Sequence, residues 1–212
     1  MLTEQNSKAR IAVLVSGGGT NLQALLDAQK AGSLHSGEIV LVISSAPGAF
    51  ALERASRAGV KHMTADRKAC GSQEVFETAL RQALDAEQID LIILAGFMCI
   101  LSADFTCRYP NRILNVHPSL IPSFCGKGYY GLRVHEAALR RGVKVTGATV
   151  HFVNEIPDGG EILLQKAVEI LPGDTPEILQ RRVMEQAEWI LLPQAAETVS
   201  AEIVRKREAF RK

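Results

Sequence analysis

Short apolar bursts alternate with amphipathic stretches along the first half of the chain. IAVLVS reads as a buried strand and TNLQALLDAQKAG as the helix after it. EIVLVIS then FALERASRAG, and VKHMTA then QEVFETALRQALDAEQI, repeat the pair. DLIILAGF, apolar throughout, is the fourth strand; RILNVH is the fifth, with a short helix around SADFTCRYP between them. Such a β-α-β-α rhythm predicts a Rossmann-like, mostly parallel sheet covered by helices on both faces. The rhythm then changes. Beyond the helix GLRVHEAALRRG, the runs VKVTGATVHFV and EILLQKAVEI flank the turn EIPDGG and predict a late antiparallel strand pair. A long helix from about Pro176 closes the chain, with Pro193 placed to kink or divide it. Residues 1–212 read as one α/β domain.

Composition narrows the function classes. The chain has 212 residues, 47% of them hydrophobic, enough for one sizeable core. With 24 basic and 23 acidic residues the formal charge is +1, so no field favours nucleic acid or an anionic membrane as partner. The basic run RKREAFRK reads as a solvated helix end, where the dipole favours cations. Cys70, Cys99, Cys107 and Cys125 form no CxxC pair, and no zinc-ligand spacing occurs, so no metal is expected. No secretory pattern or membrane-length apolar run is present, which places the protein in the reducing cytoplasm with free thiols.

Two segments interrupt the apolar pattern with chemistry. SGGGTNL follows the first strand and opens the first helix. Free N–H groups and the positive dipole end there suit an anion, and glycines let the backbone approach it. The spacing lacks the third glycine of a dinucleotide fingerprint and the lysine of a P-loop, so a single phosphate fits better than a pyrophosphate. The competing reading is a plain strand-to-helix turn capped by Thr20 or Asn21. The second segment is LNVHPSLIPSF. Ile113, Asn115 and His117 share one strand face, so both polar groups point the same way at a carboxyl edge, where open α/β sheets bind ligands.

Asn115 supplies a neutral N–H donor, and His117 a proton or a positive charge. Both suit the oxygen that turns negative when an acyl carbon becomes tetrahedral. No G-x-S-x-G elbow accompanies them, and Cys125 has no evident partner base, so the attacking group belongs to a substrate. Asp158, in the turn between the late strands, is either ordinary turn chemistry or an acid that raises the pKa of His117 and fixes its orientation. His151 reads as a buried strand residue or as support for the site; His35, His62 and His135 read as structural. Glu185 and Glu188, three apart, share a helix face that is either solvated or turned to a sugar.

Taken together, SGGGTNLQAL, AGFMCILS, LNVHPSLIPSF, GATVHFV and the Asp158-Gly159-Gly160 turn resemble, in order, the phosphoribosylglycinamide formyltransferases, folate-dependent enzymes of purine synthesis. The resemblance runs from about Arg10 to about Ser200. It implies a single formyltransferase domain with Asn115, His117 and Asp158 as catalytic trio. Gly19, Thr20, Asn21, Leu22, Glu185 and Glu188 would bind glycinamide ribonucleotide. Gln73, Met98, Cys99, Ile100, Leu101, Asn154, Glu155, Ile156 and Pro157 would border the co-substrate 10-formyltetrahydrofolate, without a metal. Partners would be these small molecules only, and the protein a monomer or homodimer. Cys99 and Gln73 stand where relatives often carry arginines that reach the folate, and FCGKGYYG departs from a shorter loop, with Lys127 as an added cation. A formyltetrahydrofolate hydrolase, a methionyl-tRNA formyltransferase and a non-catalytic phosphosugar-binding module are the competing readings. The first two lack their extra domains here, and an intact trio argues against the third.

Overall fold

The computed structural model describes residues 8–210. Seven strands form one sheet: β1 (Ala9–Val15), β2 (Gly37–Ser44), β3 (Lys61–Thr64), β4 (Leu91–Leu94), β5 (Ile113–His117), β6 (Val145–Phe152) and β7 (Ile162–Glu169). Their order is β3-β2-β1-β4-β5-β6-β7. The first five strands are parallel; β6 joins β5, and β7 joins β6, in antiparallel register. The expected mixed sheet is therefore present, including the late antiparallel pair.

Helices α1 (Thr20–Ala31), α2 (Phe50–Arg57), α3 (Gln73–Ala86), α4 (Ala103–Arg108), α5 (Leu132–Arg141), α6 (Pro176–Val183) and α7 (Trp189–Phe210) complete the fold. Strand alternation divides the core into two layers. Ile11, Val13 and Val15 of β1 face α1, α2 and α7, while Ala12 and Leu14 face Phe76, Leu80 and Leu84 of α3. Burial on both faces explains why β1 reads as an unbroken apolar run. No described helix is long and apolar enough to cross a membrane. Arg205–Phe210 of the basic terminal run continue α7, and Arg211 and Lys212 lie outside the described residues.

Helix starts differ in a way that matters for function. Ser72, Ser102 and Thr175 cap α3, α4 and α6 by accepting from the amides of Val75, Phe105 and Ile178. At α1 neither Thr20 nor Asn21 is the cap, so the competing reading of a turn capped by one of them does not hold. Gly19 holds that place at φ 73°, with no side-chain cap. An added Cβ there would sit 2.6 Å from the Ala51 Cβ, so both backbone conformation and packing require glycine.

Between α6 and α7 the chain makes a π-helical stretch, Met184–Glu188. Pro193, the fifth residue of α7, has no N–H to return to the Trp189 carbonyl. The expected single long helix is thus divided, upstream of the proline rather than at it. Three strand ends, those of β1, β4 and β5, open on the point where strand order reverses around β1, the position at which α/β sheets place their ligands.

Candidate active site

A cleft of about 970 Å³ lies at that edge. It is lined by the glycine loop (Gly17–Asn21), by Leu94–Leu101 after β4, by Asn115–Pro118 after β5, by Gly126–Gly131, and by the turn around Asp158. A separate groove of about 790 Å³ between α1 and α7 shares only Thr20 with it and holds no histidine.

Pairing of β5 with β6 builds the polar centre. Asn115 faces His151 directly across the two strands, so their side chains share a face. Asn115 Nδ2 lies 3.2 Å from His151 Nε2. The other ring nitrogen, His151 Nδ1, donates to the Phe152 carbonyl at 2.8 Å. In the tautomer that donates from Nδ1 and accepts at Nε2, His151 takes one amide hydrogen of Asn115 and leaves the second for the cleft.

The turn after β6 then brings Asp158 to both imidazoles: 3.5 Å from Oδ2 to His117 Nδ1 and 3.5 Å from Oδ1 to His151 Nε2. Asp158 adopts φ 56°, a left-handed conformation that aspartate tolerates. Gly160, two residues on, is demanded by packing, because a Cβ there would lie 1.8 Å from the Phe152 carbonyl oxygen. The turn is shaped by its contacts as well as by turn propensity. The Gly126 amide donates to Asp158 Oδ2 at 2.8 Å, tying the Gly126–Gly131 loop to the trio. His117 Nε2 donates to the Phe124 carbonyl at 2.9 Å.

Electrostatics correct one expectation. Burial pushes His117 below the ordinary imidazole pKa, outweighing Asp158 and the Phe124 carbonyl, which raise it. The acid acts in the expected direction, but His117 is neutral near pH 7 in the free protein. Burial acts on Asp158 by raising its pKa, yet the His151 ring 3.5 Å away, the proximity of His117 and the Gly126 amide hold it below the usual carboxylate value. Cys125 donates to the Pro122 carbonyl, and burial, with Asp158 nearby, pushes its thiol pKa up, so it is no thiolate nucleophile.

At the glycine-loop end, none of the amides of Gly18 to Leu22 has a protein acceptor among the described residues. Asn21 Nδ2 donates to Glu188 Oε2 at 2.7 Å, and its own buried Oδ1 has no partner. Glu188 is buried at the cleft wall, and burial raises its carboxyl from 4.5 to about 7 despite Asn21.

Most expected site residues converge. Asn115, His117, Asp158, Gly19, Thr20, Asn21, Glu188, Met98, Cys99, Ile100, Leu101, Asn154, Glu155 and Pro157 all line the cleft. Four do not. Leu22 points into the core at 0% exposure, leaving only its amide near the loop. Ile156 is 58% exposed beside the cleft rather than in it. Gln73 sits behind the wall, donating to the Ile100 carbonyl at 2.9 Å and to Glu77. Glu185 turns away to pair with Arg181 at 2.8 Å. The shared face expected for Glu185 and Glu188 belongs to an α-helix, and the i→i+5 spacing of the π stretch removes it. Gln180, Met184, Tyr129 and Tyr130 line the cleft without having been singled out. Among the described residues no group of His, Cys, Asp and Glu could hold a metal ion.

A profile of the formyl transferase family matches residues 9–195. The chain is 41% identical over 176 residues to the phosphoribosylglycinamide formyltransferase of Escherichia coli, covering 83% of this chain and 80% of that protein. It is 44% identical to the trifunctional purine biosynthetic protein adenosine-3 of Gallus gallus over 97% of this chain. It spans only 13% to 20% of the length of such trifunctional relatives. Among solved structures, glycinamide ribonucleotide transformylase 1 from Symbiobacterium toebii superposes with a TM-score of 0.86 at 44% identity, covering 93% of this chain and 90% of that one. With a family match across most of its length, the chain belongs to the formyl transferase family of enzymes.

Proposed function

We propose that the protein transfers the formyl group of 10-formyltetrahydrofolate to the glycine amine of glycinamide ribonucleotide. The observation that carries this reading is the convergence of Asn115, His117 and Asp158 in one cleft with a glycine loop whose amides have no protein acceptor. The names of the Escherichia coli and Symbiobacterium toebii relatives support the choice of acceptor.

The substrate phosphate is assigned to the amides from Gly18 onward and to the positive end of α1. Glu188, with a carboxyl shifted to about 7, is largely uncharged below that pH and can both donate to and accept from a ribose diol without repelling the phosphate. The folate ring is assigned to the wall formed by Met98, Ile100 and Leu101 on one side and Asn154 to Pro157 on the other. Met98 and Ile100 are 54% and 62% exposed there, apolar surface that a planar heterocycle would cover. Gln73 supports that wall through the Ile100 carbonyl.

In the reaction, the neutral amine attacks the formyl carbon directly. The second amide hydrogen of Asn115 meets the developing oxyanion. His117, neutral before reaction, takes the proton that leaves the amine at Nδ1, directly or through Asp158, and the resulting imidazolium adds to oxyanion stabilisation beside the Asp158 carboxylate. As the bond from carbon to folate nitrogen breaks, that proton passes to the departing nitrogen. Bonds and protons balance with no covalent enzyme intermediate. Holding both substrates in one cleft supplies much of the remaining acceleration.

A spectrophotometric assay with 10-formyltetrahydrofolate, run with and without glycinamide ribonucleotide, tests the reading. Folate product formed only when the ribonucleotide is present supports transfer. Product formed equally without it would indicate hydrolysis, and ribonucleotide binding without product would indicate a binding module; either result contradicts the proposal.

A further inference from the structure

The geometry points to Arg54, on α2, as a positioning residue that turns the Gly19 amide towards the substrate phosphate. This inference rests on the reading that the glycine loop takes that phosphate. The loop lies against α2, and two of its carbonyls are held there. The Ala51 amide donates to the Gly17 oxygen at 3.0 Å, and Arg54 Nε donates to the Gly18 oxygen at 2.8 Å. In a trans peptide the carbonyl and the following N–H point in opposite directions. Drawing the Gly17 and Gly18 oxygens to α2 therefore turns the amides of Gly18 and Gly19 to the other side, and that side is the cleft these glycines line.

Glycine would otherwise leave this orientation loose. It accepts either sign of φ, so an unheld Gly18–Gly19 peptide can flip and present an oxygen, rather than an N–H, to an anion. Two neighbours fix the guanidinium. Its Nη1 donates to Gln23 Oε1 on α1 at 2.9 Å, and its carbon lies 5.0 Å from the centre of the Phe50 ring. One planar group with several fixed donors thus ties the loop, α1 and α2 together, a task for which the single ammonium of lysine is less suited. Gly19 adds rigidity, since its Cα hydrogen side abuts Ala51 and leaves no room for a side chain.

Steady-state kinetics of Arg54→Met, which keeps the aliphatic stem and removes every donor, test the inference. The KM for glycinamide ribonucleotide and the inhibition constant of inorganic phosphate are expected to rise together, roughly tenfold. The kcat and the KM for the formyl donor should stay at the parental values, and the variant should remain folded at the assay temperature, with only a modestly lowered unfolding midpoint from the lost hydrogen bonds. Glycinamide riboside, which lacks the phosphate, should be used equally by parent and variant. Arg54→Lys, with one donor for the Gly18 carbonyl, should recover part of the loss. Unchanged phosphate inhibition in Arg54→Met, or loss of riboside and ribonucleotide use in equal measure, would overturn the role of Arg54. Equal use of riboside and ribonucleotide by the parent would instead overturn the phosphate reading itself, and that is seen without any mutation.

Discussion

Asp158, half-buried, and Glu188, buried, are two carboxyls in one cleft, and burial pushes both pKa values upward. They nevertheless end on opposite sides of the ordinary carboxylate range. Asp158 has an amide donor at 2.8 Å and two imidazoles within 3.5 Å, and stays below it. Glu188 has one donor, Asn21, and rises to about 7. Donor count and depth together separate the carboxylate to which we assign proton handling from the carboxyl that we assign to the substrate beside its phosphate. The local backbones match: a left-handed aspartate in a glycine turn meets several partners, while a π stretch delivers one glutamate to a single side-chain donor, Asn21.

The largest expected effect comes from removing the charge that stays. Asp158→Asn should lower kcat by roughly 10²–10⁴, the usual range for a lost proton-transfer group, with the fold retained. It should also move the acid limb of kcat/KM further below pH 6.5, because Asp158 raises the His117 pKa and the asparagine would not. A limb above pH 6.5 in the parent would contradict a neutral His117.

Glu188→Gln acts on stability. Because the folded carboxyl lies at about 7 and the reference value is 4.5, the folded state binds the extra proton in between, and parental stability falls as pH rises through that window. At pH 8 the variant should be more stable than the parent by on the order of 3 kcal/mol, and at pH 4 the two should coincide. Denaturant unfolding at both pH values checks this; equal differences at both would show that the shift is absent.

Gly19→Ala should lose about 2 kcal/mol, from its positive φ and the contact with Ala51, and should raise the KM for the phosphate substrate. Parental stability in that variant would mean that the loop can relax. Glu185→Gln, on the outside of the π stretch, should leave turnover unchanged and stability within about 0.5 kcal/mol. A rise in ribonucleotide KM there would place Glu185 back in the cleft.

The sheet was legible because periodicity reports burial. Continuous apolar runs in β1, β2 and β4 could be only doubly covered strands, and the alternation around Asn115 and His117 put both on one face. The glycine loop was legible as a helix start with free amides, but its capping was not: Gly19 is fixed by Ala51, a contact between segments that no local pattern reveals. His151 was visible as a buried strand residue, whereas its position opposite Asn115 depends on the β5–β6 register. The face shared by Glu185 and Glu188 failed because the sequence gives no sign of a π stretch, and helical periodicity was applied across it. Gln73 failed for a related reason, since its partner, the Ile100 carbonyl, is a backbone group and invisible to side-chain patterns.

The most direct test of the account is the turnover of Asn115→Ala, measured together with ribonucleotide binding. If the amide hydrogen that His151 leaves over meets the oxyanion, kcat should fall by roughly 10²–10³ while ribonucleotide affinity stays at the parental value. Near-parental turnover in a folded variant would contradict the account, because the strand end would then hold an asparagine for structure alone.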